Sequence, residues 1–385
     1  MILGIDASNL RRGTGGVTHL TELLRTVEPR THGFSRVVVW SGRPTLNRLE
    51  DRPWLVKSHH PALDKTLLHR TLWQLFRLSR IARRANCDVL FVPGGSFAGH
   101  FHPIVGMSQN LLPFEWHELR RFGWSWMTLK LVMLRASQSR TFRHADGLVF
   151  LSRYARDVVT RAAGPFRART RTIPHGVDDR FLCPPRAQVS IDQCSQERPF
   201  RILYVSTINE YKHQWHVAEA VSQLRANGLP VVVDLVGPAY PPALKRLRRA
   251  LARIGPWAEC VRYAGAVPYS DLHSWYLRAD LCVFASSCES MPNILLEGMA
   301  SGLPIACSNR GPMPELLGDG GVYFTPTDTH DTARALRELI ESPELRLSKA
   351  RASFSRAQSF SWSRCAAETF ELLAGRAKEN HHRTV

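Results

Sequence analysis

The sequence lacks the close cysteine pairs that zinc sites and small disulfide-rich domains use. Its eight cysteines, at positions 87, 183, 194, 260, 282, 288, 307 and 365, are scattered, and no C-x-x-C occurs. This distribution is typical of free thiols in a reducing compartment. We therefore expect no structural zinc.

Signals for export or for spanning a membrane are also missing. The chain opens with MILGID, which predicts a strand and not a basic and apolar signal sequence. The longest run without charge, residues 89–114, has 26 residues but contains prolines, glycines and histidines that a spanning helix would not place in lipid. We expect a cytoplasmic protein without a transmembrane segment.

Acidic residues are scarce in the first half of the chain. Residues 1–185 hold 28 Lys and Arg against 13 Asp and Glu, whereas the remainder holds 23 against 20, within a net charge of +18. An anionic partner is therefore expected to meet the first half.

Two domains fit the 385 residues, of which 44% are hydrophobic. Short apolar runs such as RVVVW and DVLFV alternate with helical patterns throughout, which predicts an α/β protein with two doubly wound parallel sheets facing across a cleft. We expect a first domain over 1–183, a linker over 184–199 and a second domain over 200–355. A last helix, within 356–385, is expected to return to the first domain.

Ligands of such sheets bind beyond the carboxyl ends of strands, so motifs at those positions are the candidates for a site. After the first strand, Gly13, Gly15 and Gly16 precede an amphipathic helical pattern, and such glycines let backbone N–H groups approach a phosphate or a sugar. A tight turn without function would need glycine as well.

Three charged residues follow strands of the second half. Lys212 lies between a predicted strand and a helix, from where an ammonium can reach a diphosphate, although a solvated loop lysine is the commoner case. Glu289 is predicted in a loop and Glu297 inside the next helix, so both can contact one elongated polar ligand. Surface glutamates that flank a helix would show the same spacing.

The segment around these glutamates, an E-x7-E pair with GMASGLPIACSNRGPMPELLGDGGVYFTP after it, resembles the retaining glycosyltransferases of family 4, which have the GT-B fold. The resemblance extends to the glycine loop, to IPHGVD at 173–178, to Lys212 and to FSWSRCAAETF in the last helix. It covers nearly the whole chain and is most specific over 200–327.

The resemblance implies roles for particular residues. Glu289 would approach the hydroxyls of the donor sugar, and Glu297 would accept hydrogen bonds from the nucleotide ribose. Lys212 would neutralise the departing diphosphate. The remaining implied contacts are backbone N–H groups near Asn293 and Ile294 at the diphosphate, Val267 beside the base, and Gly15 and Gly16 where the first domain closes over the donor.

The sequence departs from the family pattern at three places. Thr207 stands where the family has an arginine that binds phosphate, so another cation is needed there. Gln109 and Asn110 replace a His-Asp pair, and an amide can bind a sugar hydroxyl but cannot titrate near neutrality. Met291 and Pro292 replace a glycine-containing turn and are expected to narrow the sugar pocket.

Two helical segments of the first half combine aromatic and basic residues without any acid. Residues 65–84 and 119–144 each contain six Lys and Arg. Helices of this kind can lie on an anionic bilayer, whereas the plainer interpretation buries their apolar faces on the sheet and leaves the arginines in water.

The sequence thus predicts transfer of a hexose from a GDP- or UDP-sugar to a glycan acceptor, a lipid-linked intermediate of bacterial surface polysaccharide being favoured. Neither a cofactor nor a metal is expected, since no D-x-D carboxylate cluster is present. The alternatives are a nucleic-acid-binding GT-B protein and a sugar-nucleotide enzyme without transfer activity, such as an epimerase.

Overall fold

The computed structural model describes residues 1–10 and 15–384, with side chains through residue 379 at the carboxyl end. It divides into two compact units, one of residues 1–176 with 361–385 and one of residues 177–360. Both borders differ by a few residues from those expected from the sequence. The connecting segment, residues 184–199, belongs to the second unit and is not a free linker.

The first unit is built on a sheet of seven parallel strands in the order β3-β2-β1-β4-β5-β6-β7. The expected doubly wound sheet is confirmed. The strands are β1 (Ile2–Asp6), β2 (Arg36–Ser41), β3 (Leu55–His59), β4 (Val89–Val92), β5 (Ile104–Ser108), β6 (Gly147–Phe150) and β7 (Arg169–Thr172).

The second unit contains a parallel sheet of six strands in the order β10-β9-β8-β11-β12-β13. Chain order reverses between β8 and β11, which makes the gap beyond these two strands the place where such sheets bind ligands. The strands are β8 (Phe200–Val205), β9 (Val231–Val236), β10 (Val261–Gly265), β11 (Leu281–Phe284), β12 (Ile305–Ser308) and β13 (Gly321–Phe324).

Helices connect the strands in both units. In chain order they are α1 (Gly15–Thr26), α2 (Arg43–Leu46), α3 (Leu67–Trp73), α4 (Ser79–Arg84), α5 (Trp116–Leu119), α6 (Trp126–His144), α7 (Arg153–Ala163), α8 (Gln214–Ala226), α9 (Pro241–Ile254), α10 (Leu272–Arg278), α11 (Asn293–Ala300), α12 (Met313–Leu317), α13 (Thr329–Glu341), α14 (Pro343–Ala357) and α15 (Trp362–Thr384).

Burial explains why these sequences form parallel strands. Every residue of β9, VVVDLV, is buried, as are those of β4, VLFV, because helices cover both faces of the sheet. The edge strand β3, LVKSH, is only partly buried and is correspondingly more polar. Among the described residues, no helix combines the length and apolar character needed to cross a bilayer.

A buried arginine fixes the connecting segment to the second unit. Arg346 of α14 is fully buried, and its guanidinium donates to the backbone oxygens of Leu339 (2.7 Å), Ile340 (2.6 Å) and Val189 and to Gln188 Oε1 (3.1 Å). Two of these acceptors lie in the connecting segment. The charge is thus solvated by protein oxygens, which is the condition for burying a guanidinium.

We predict that Arg346→Met lowers the free energy of unfolding by about 3 kcal/mol or more, because the substitution leaves buried carbonyl oxygens without donors. Chemical denaturation measures the change. The matched control is Arg351→Met, at an exposed position of the same helix. Equal stabilities of the two variants would contradict the role given to Arg346.

Candidate functional site

The loops after β8 and β11 bring together the two residues expected to act at the sugar and the diphosphate. Lys212 Nζ forms an ion pair with Glu289 Oε1, and both side chains are largely buried, at 8% and 15% exposure. The ammonium also lies 5.2 Å from the ring centroid of Tyr211 and 5.5 Å from that of Phe284. A salt bridge in surroundings of this kind is screened far less than one on the surface.

Local hydrogen bonds hold Lys212 in place. A short 3₁₀ turn, Glu210–Lys212, begins where Asn209 Oδ1 accepts from the backbone N–H of Glu210 (2.8 Å). The carbonyl oxygen of Lys212 accepts from the buried hydroxyl of Tyr204 (2.7 Å). Backbone on both sides of the lysine is therefore fixed before any ligand arrives.

His213, which follows Lys212, has a left-handed backbone with φ of 53°. This conformation costs a residue other than glycine roughly 1–2 kcal/mol. The buried imidazole Nε2 lies 2.9 Å from Ser287 Oγ, so the side chain links the β8 loop to the β11 loop. His213 was not among the residues predicted from the sequence.

The turn between Glu289 and α11 is closed by apolar residues. Met291 is 6% exposed and Pro292 is buried, directly before the first helical residue, Asn293. Ile294 offers its carbonyl oxygen to the hydroxyl of Tyr276 (3.2 Å). The backbone N–H groups of Leu295 and Leu296 donate to the Pro292 carbonyl oxygen (3.1 and 3.4 Å), and the amino terminus of a helix is a favourable place for an anion.

Glu297 lies inside α11 and not in contact with Lys212. Its Oε1 accepts from the Tyr269 hydroxyl (3.0 Å) and its Oε2 from the Tyr276 hydroxyl (3.3 Å). Burial raises the pKa of Glu297 from 4.5 to about 7, although the two tyrosine hydroxyls oppose this shift. Val267, expected beside the base, lies two residues before Tyr269 in the same loop after β10.

Neither Tyr269 nor Tyr276 was predicted from the sequence, although the two residues are seven positions apart and both contact Glu297 of helix α11. The guanidinium of Arg180 lies 4.6 Å from the ring centroid of Tyr269 and also pairs with Asp178. Its charge opposes the rise that burial causes in the pKa of Glu297. The backbone oxygen of Thr207 accepts a hydrogen bond from Gln214 Nε2 (2.9 Å), which fixes the main chain at this position.

Two residues predicted in the first unit lie next to each other. A Cβ atom on Gly16 would lie 2.7 Å from Gln109 Oε1, so a larger residue there would require the Gln109 amide to move. Gly15 begins that helix and has open space around its Cα. Gly13 lies outside the described residues.

A polar cluster in the same unit was not foreseen. Asp6 ends β1, and its carboxylate accepts from Gln74 Nε2 (2.5 Å) and from the backbone N–H of Ser8 (3.1 Å). Burial raises the pKa of Asp6 to about 6 against these hydrogen bonds. Gln74 begins a π-helical turn, Gln74–Leu78, a distortion often found at functional sites.

Three segments that carried the family resemblance also meet within the first unit. His175 of IPHGVD stacks on Trp362 of the last helix with ring centroids 5.3 Å apart, and His19 of α1 lies 4.9 Å from His175. Burial, together with His175, holds the pKa of His19 well below its usual range. His19 is thus a neutral packing residue.

Comparison with known proteins gives matches over most of the chain. Residues 13–181 match a family model described as Glycosyltransferase Family 4, and residues 199–342 match one described as Glycosyl transferases group 1. A GDP-mannose-dependent alpha-(1-6)-phosphatidylinositol monomannoside mannosyltransferase of Mycolicibacterium smegmatis is 29% identical over 66% of this chain and 68% of its own length. A D-inositol 3-phosphate glycosyltransferase of Paenarthrobacter aurescens is 33% identical over 53% of this chain, which spans about half (51%) of that protein.

Solved structures show the same fold at low identity. Sucrose-phosphate synthase from Thermosynechococcus elongatus superposes with a TM-score of 0.77 at 15% identity and covers 100% of both chains. Anabaena Alr3699/HepE in complex with UDP and glucose gives a TM-score of 0.69 at 18% identity, over 97% of this chain and 99% of that one. The two-unit architecture is therefore that of GT-B proteins, as the sequence predicted.

We predict that Glu297→Gln changes how stability depends on pH. A carboxyl group whose pKa rises from 4.5 to about 7 on folding destabilises the folded state as pH increases through that interval, by about 3 kcal/mol above it. The variant should lose this decline and be more stable than the wild type at pH 8. Unfolding free energies at pH 5 and pH 8 measure the effect.

Glu338→Gln, an exposed position of α13, serves as the control and should keep the wild-type pH dependence. An unchanged difference between pH 5 and pH 8 in Glu297→Gln would show that Glu297 is ionised throughout this range.

Proposed function

Because this chain belongs to the family 4, group 1 glycosyltransferases, we propose that it is a retaining enzyme that moves a hexose from a GDP- or UDP-sugar to a glycan acceptor. Membership of this family makes the protein a hexosyltransferase. The identity of the nucleotide-sugar donor, the acceptor and the retention of configuration belong to the proposal. The ion pair between Lys212 and Glu289, beside the amino terminus of α11, is the observation on which the proposal depends.

Glycosyl transfer passes through an oxocarbenium-like state while a diphosphate departs with growing negative charge. Lys212 and the first N–H groups of α11, at Asn293 and Ile294, are preorganised donors of the kind that stabilises such charge. Glu289 orients the sugar hydroxyls and holds Lys212, and does not act as a nucleophile. The acceptor attacks from the face that the diphosphate leaves, and a diphosphate oxygen takes the acceptor's proton.

The nucleoside end of the donor is proposed to lie at Glu297 and Val267. Glu297 has two oxygens with lone pairs beyond those used by Tyr269 and Tyr276, so it can accept from ribose hydroxyls. Ionised Glu297 is the better acceptor, so nucleotide affinity is expected to fall below pH 7. The scheme places each step on groups of the chain and the donor, so it requires no metal.

Similar proteins are described with guanine and with uracil nucleotides, so either base fits the donor of this protein. The mycobacterial relative is described as dependent on GDP-mannose, while the Anabaena structure contains UDP and glucose. The acceptor named for the mycobacterial relative is a phosphatidylinositol mannoside, and another structural neighbour, WaaG, is described as involved in lipopolysaccharide biosynthesis. We therefore favour a lipid-linked glycan as the acceptor here.

The exposed surface of the first unit supports contact with a membrane. Leu68, Leu72 and Phe76, spaced by four, are exposed by 66%, 43% and 67%, whereas Arg70 on the same segment is buried. Trp73 and Leu78 of the same segment are buried, so one side of it packs within the unit while the side with Leu68, Leu72 and Phe76 faces solvent. Arg70 is one of the six basic residues of 65–84, and it is not solvated, because its guanidinium donates to the Ser8 carbonyl oxygen (3.2 Å).

A second segment repeats this pattern. Trp124 is completely exposed in the loop before α6, and Trp126, Leu129 and Met133 form an exposed stripe along that helix. The connections from β3 to β4 and from β5 to β6 run in the same direction along the sheet. Right-handed crossovers therefore place both segments on one face, with their first turns near the carboxyl ends of the strands.

Charge distribution agrees with an anionic surface as the partner. The first unit contains 31 Lys and Arg against 14 Asp and Glu, while the second contains 20 against 19. Nearly all of the net charge therefore accompanies the exposed apolar residues. We propose a peripheral protein at the inner face of the plasma membrane, each basic residue near the surface contributing about 1 kcal/mol.

A nucleic-acid partner fits these observations less well, since phosphate contacts need basic residues but not exposed leucines and a fully exposed tryptophan. An epimerase is disfavoured because the chain belongs to a family of transferases. Release of free nucleoside diphosphate that requires an acceptor would separate transfer from both alternatives.

For the reaction, we predict that Glu289→Gln lowers kcat by about 100-fold or more, because one preorganised group at the reacting sugar is lost. The measurement is acceptor-dependent release of nucleoside diphosphate from the natural donor. Glu338→Gln is the control, since that residue lies on the exposed face of α13. Full turnover in Glu289→Gln would refute the assigned role.

For the membrane, flotation with vesicles of phosphatidylcholine and phosphatidylglycerol is the test. Trp124→Ser combined with Trp126→Ser should weaken binding about tenfold or more, because two large apolar side chains no longer leave water. Trp257→Ser, at a 47% exposed tryptophan of the second unit, should bind like the wild type. Absence of wild-type binding at low salt would remove the proposed membrane contact.

A further inference from the structure

The loops at the carboxyl ends of the second sheet contain only two Lys or Arg residues. Lys212 follows β8 and Arg310 follows β12, while the loops after β9, β10, β11 and β13 hold none. This count covers residues 206–213, 237–240, 266–271, 285–292, 309–312 and 325–328, all of them described.

The charge of Lys212 is already balanced by Glu289, so the pair carries no net charge toward an anion. Two other cations of this unit are also compensated, since Arg180 pairs with Asp178 and Arg246 with Glu210 (3.0 Å). A donor diphosphate bears at least two negative charges, and its departure increases them. The site therefore needs a further cation, the more so because Thr207 supplies none.

Arg310 is placed to meet this need. Strands β11 and β12 are neighbours, so their loops leave the sheet side by side. Gly311, with φ of +61°, brings the β12 loop so close that a Cβ atom there would lie 3.9 Å from the backbone nitrogen of Glu289. Arg310 is the adjacent residue, so its long side chain starts from a loop that contacts the loop of Glu289.

The Arg310 side chain is also available. It is exposed, its backbone N–H donates to Ser308 Oγ (3.2 Å), and within the described residues its guanidinium has no carboxylate within ion-pair distance. Every other cation named around this site is held by a carboxylate. Among the cations named here, an uncompensated guanidinium is thus specific to the β12 loop.

We propose that Arg310 binds the diphosphate of the donor and stabilises the departing nucleoside diphosphate, in place of the arginine that Thr207 replaces. The inference rests on the proposed function, of which it names a further residue. The planar guanidinium donates to two phosphate oxygens at once, which an ammonium cannot do.

Binding of GDP, UDP, the monophosphates and the nucleosides to the full chain, measured by calorimetry, tests this. Arg310→Gln should weaken binding of the preferred diphosphate by about 10- to 100-fold, affect the monophosphate less and leave the nucleoside unchanged. Arg310→Lys should recover part of the loss. Arg337→Gln, which removes an equal charge from the exposed face of α13, should match the wild type.

Unaltered diphosphate affinity in Arg310→Gln, beside a clear loss in Lys212→Gln, would overturn the inference and leave the proposed function intact. A rise only in the KM for the acceptor would overturn it too, since Arg310 would then serve the acceptor. If the wild type binds neither GDP nor UDP, the proposed function itself fails.

Discussion

The ion pair between Lys212 and Glu289 depends on one constraint: strands β8 and β11 must lie side by side and point the same way. The two residues are 77 positions apart in the chain. Because the two strands are parallel, the loops that follow them lie at the same edge of the sheet. Helix α11 begins after Glu289, next to the ion pair. Hydrogen bonds around His213 and Tyr204 complete the arrangement, so the site is rigid before it meets a ligand.

Electrostatics divides this site into two ends. At the proposed sugar end the Lys212 ammonium and the Glu289 carboxylate neutralise each other, and Arg310 is proposed to add an uncompensated charge. At the proposed nucleoside end Glu297 is buried beside two tyrosine hydroxyls and has a pKa of about 7, so burial opposes its ionisation. A carboxyl group whose pKa is raised by burial is typical of functional sites that bind a polar ligand. The same contrast distinguishes the whole units, because nearly all net positive charge lies in the first and the predicted donor residues lie in the second.

The positions of strands could be predicted well where helices cover both faces. All six strands of the second sheet correspond to runs visible in the sequence. Five of them are largely buried and therefore apolar, because a strand covered on both faces cannot solvate polar side chains, whereas β10, VRYAG, is partly exposed. The edge strand β3 was not foreseen, because LVKSH is half exposed and lacks that pattern. In the helical segment after it, Arg70 is buried and Phe76 is exposed, the opposite of what residue type alone suggests, and a π-helical turn at Gln74–Leu78 interrupts the regular helix there.

The sequence by itself determined the α/β architecture with two parallel sheets, because apolar runs alternate with helical patterns along the chain. It also singled out Lys212, Glu289 and Glu297 by their positions beyond predicted strands, and their roles at a donor stay predictions. Tertiary structure alone decided the partners: that Lys212 meets Glu289, that two tyrosines bind Glu297, and that Gly311 brings Arg310 beside the same loop. Contacts of this kind join residues far apart in the chain. They depend on distances between loops, which no local pattern of residues encodes.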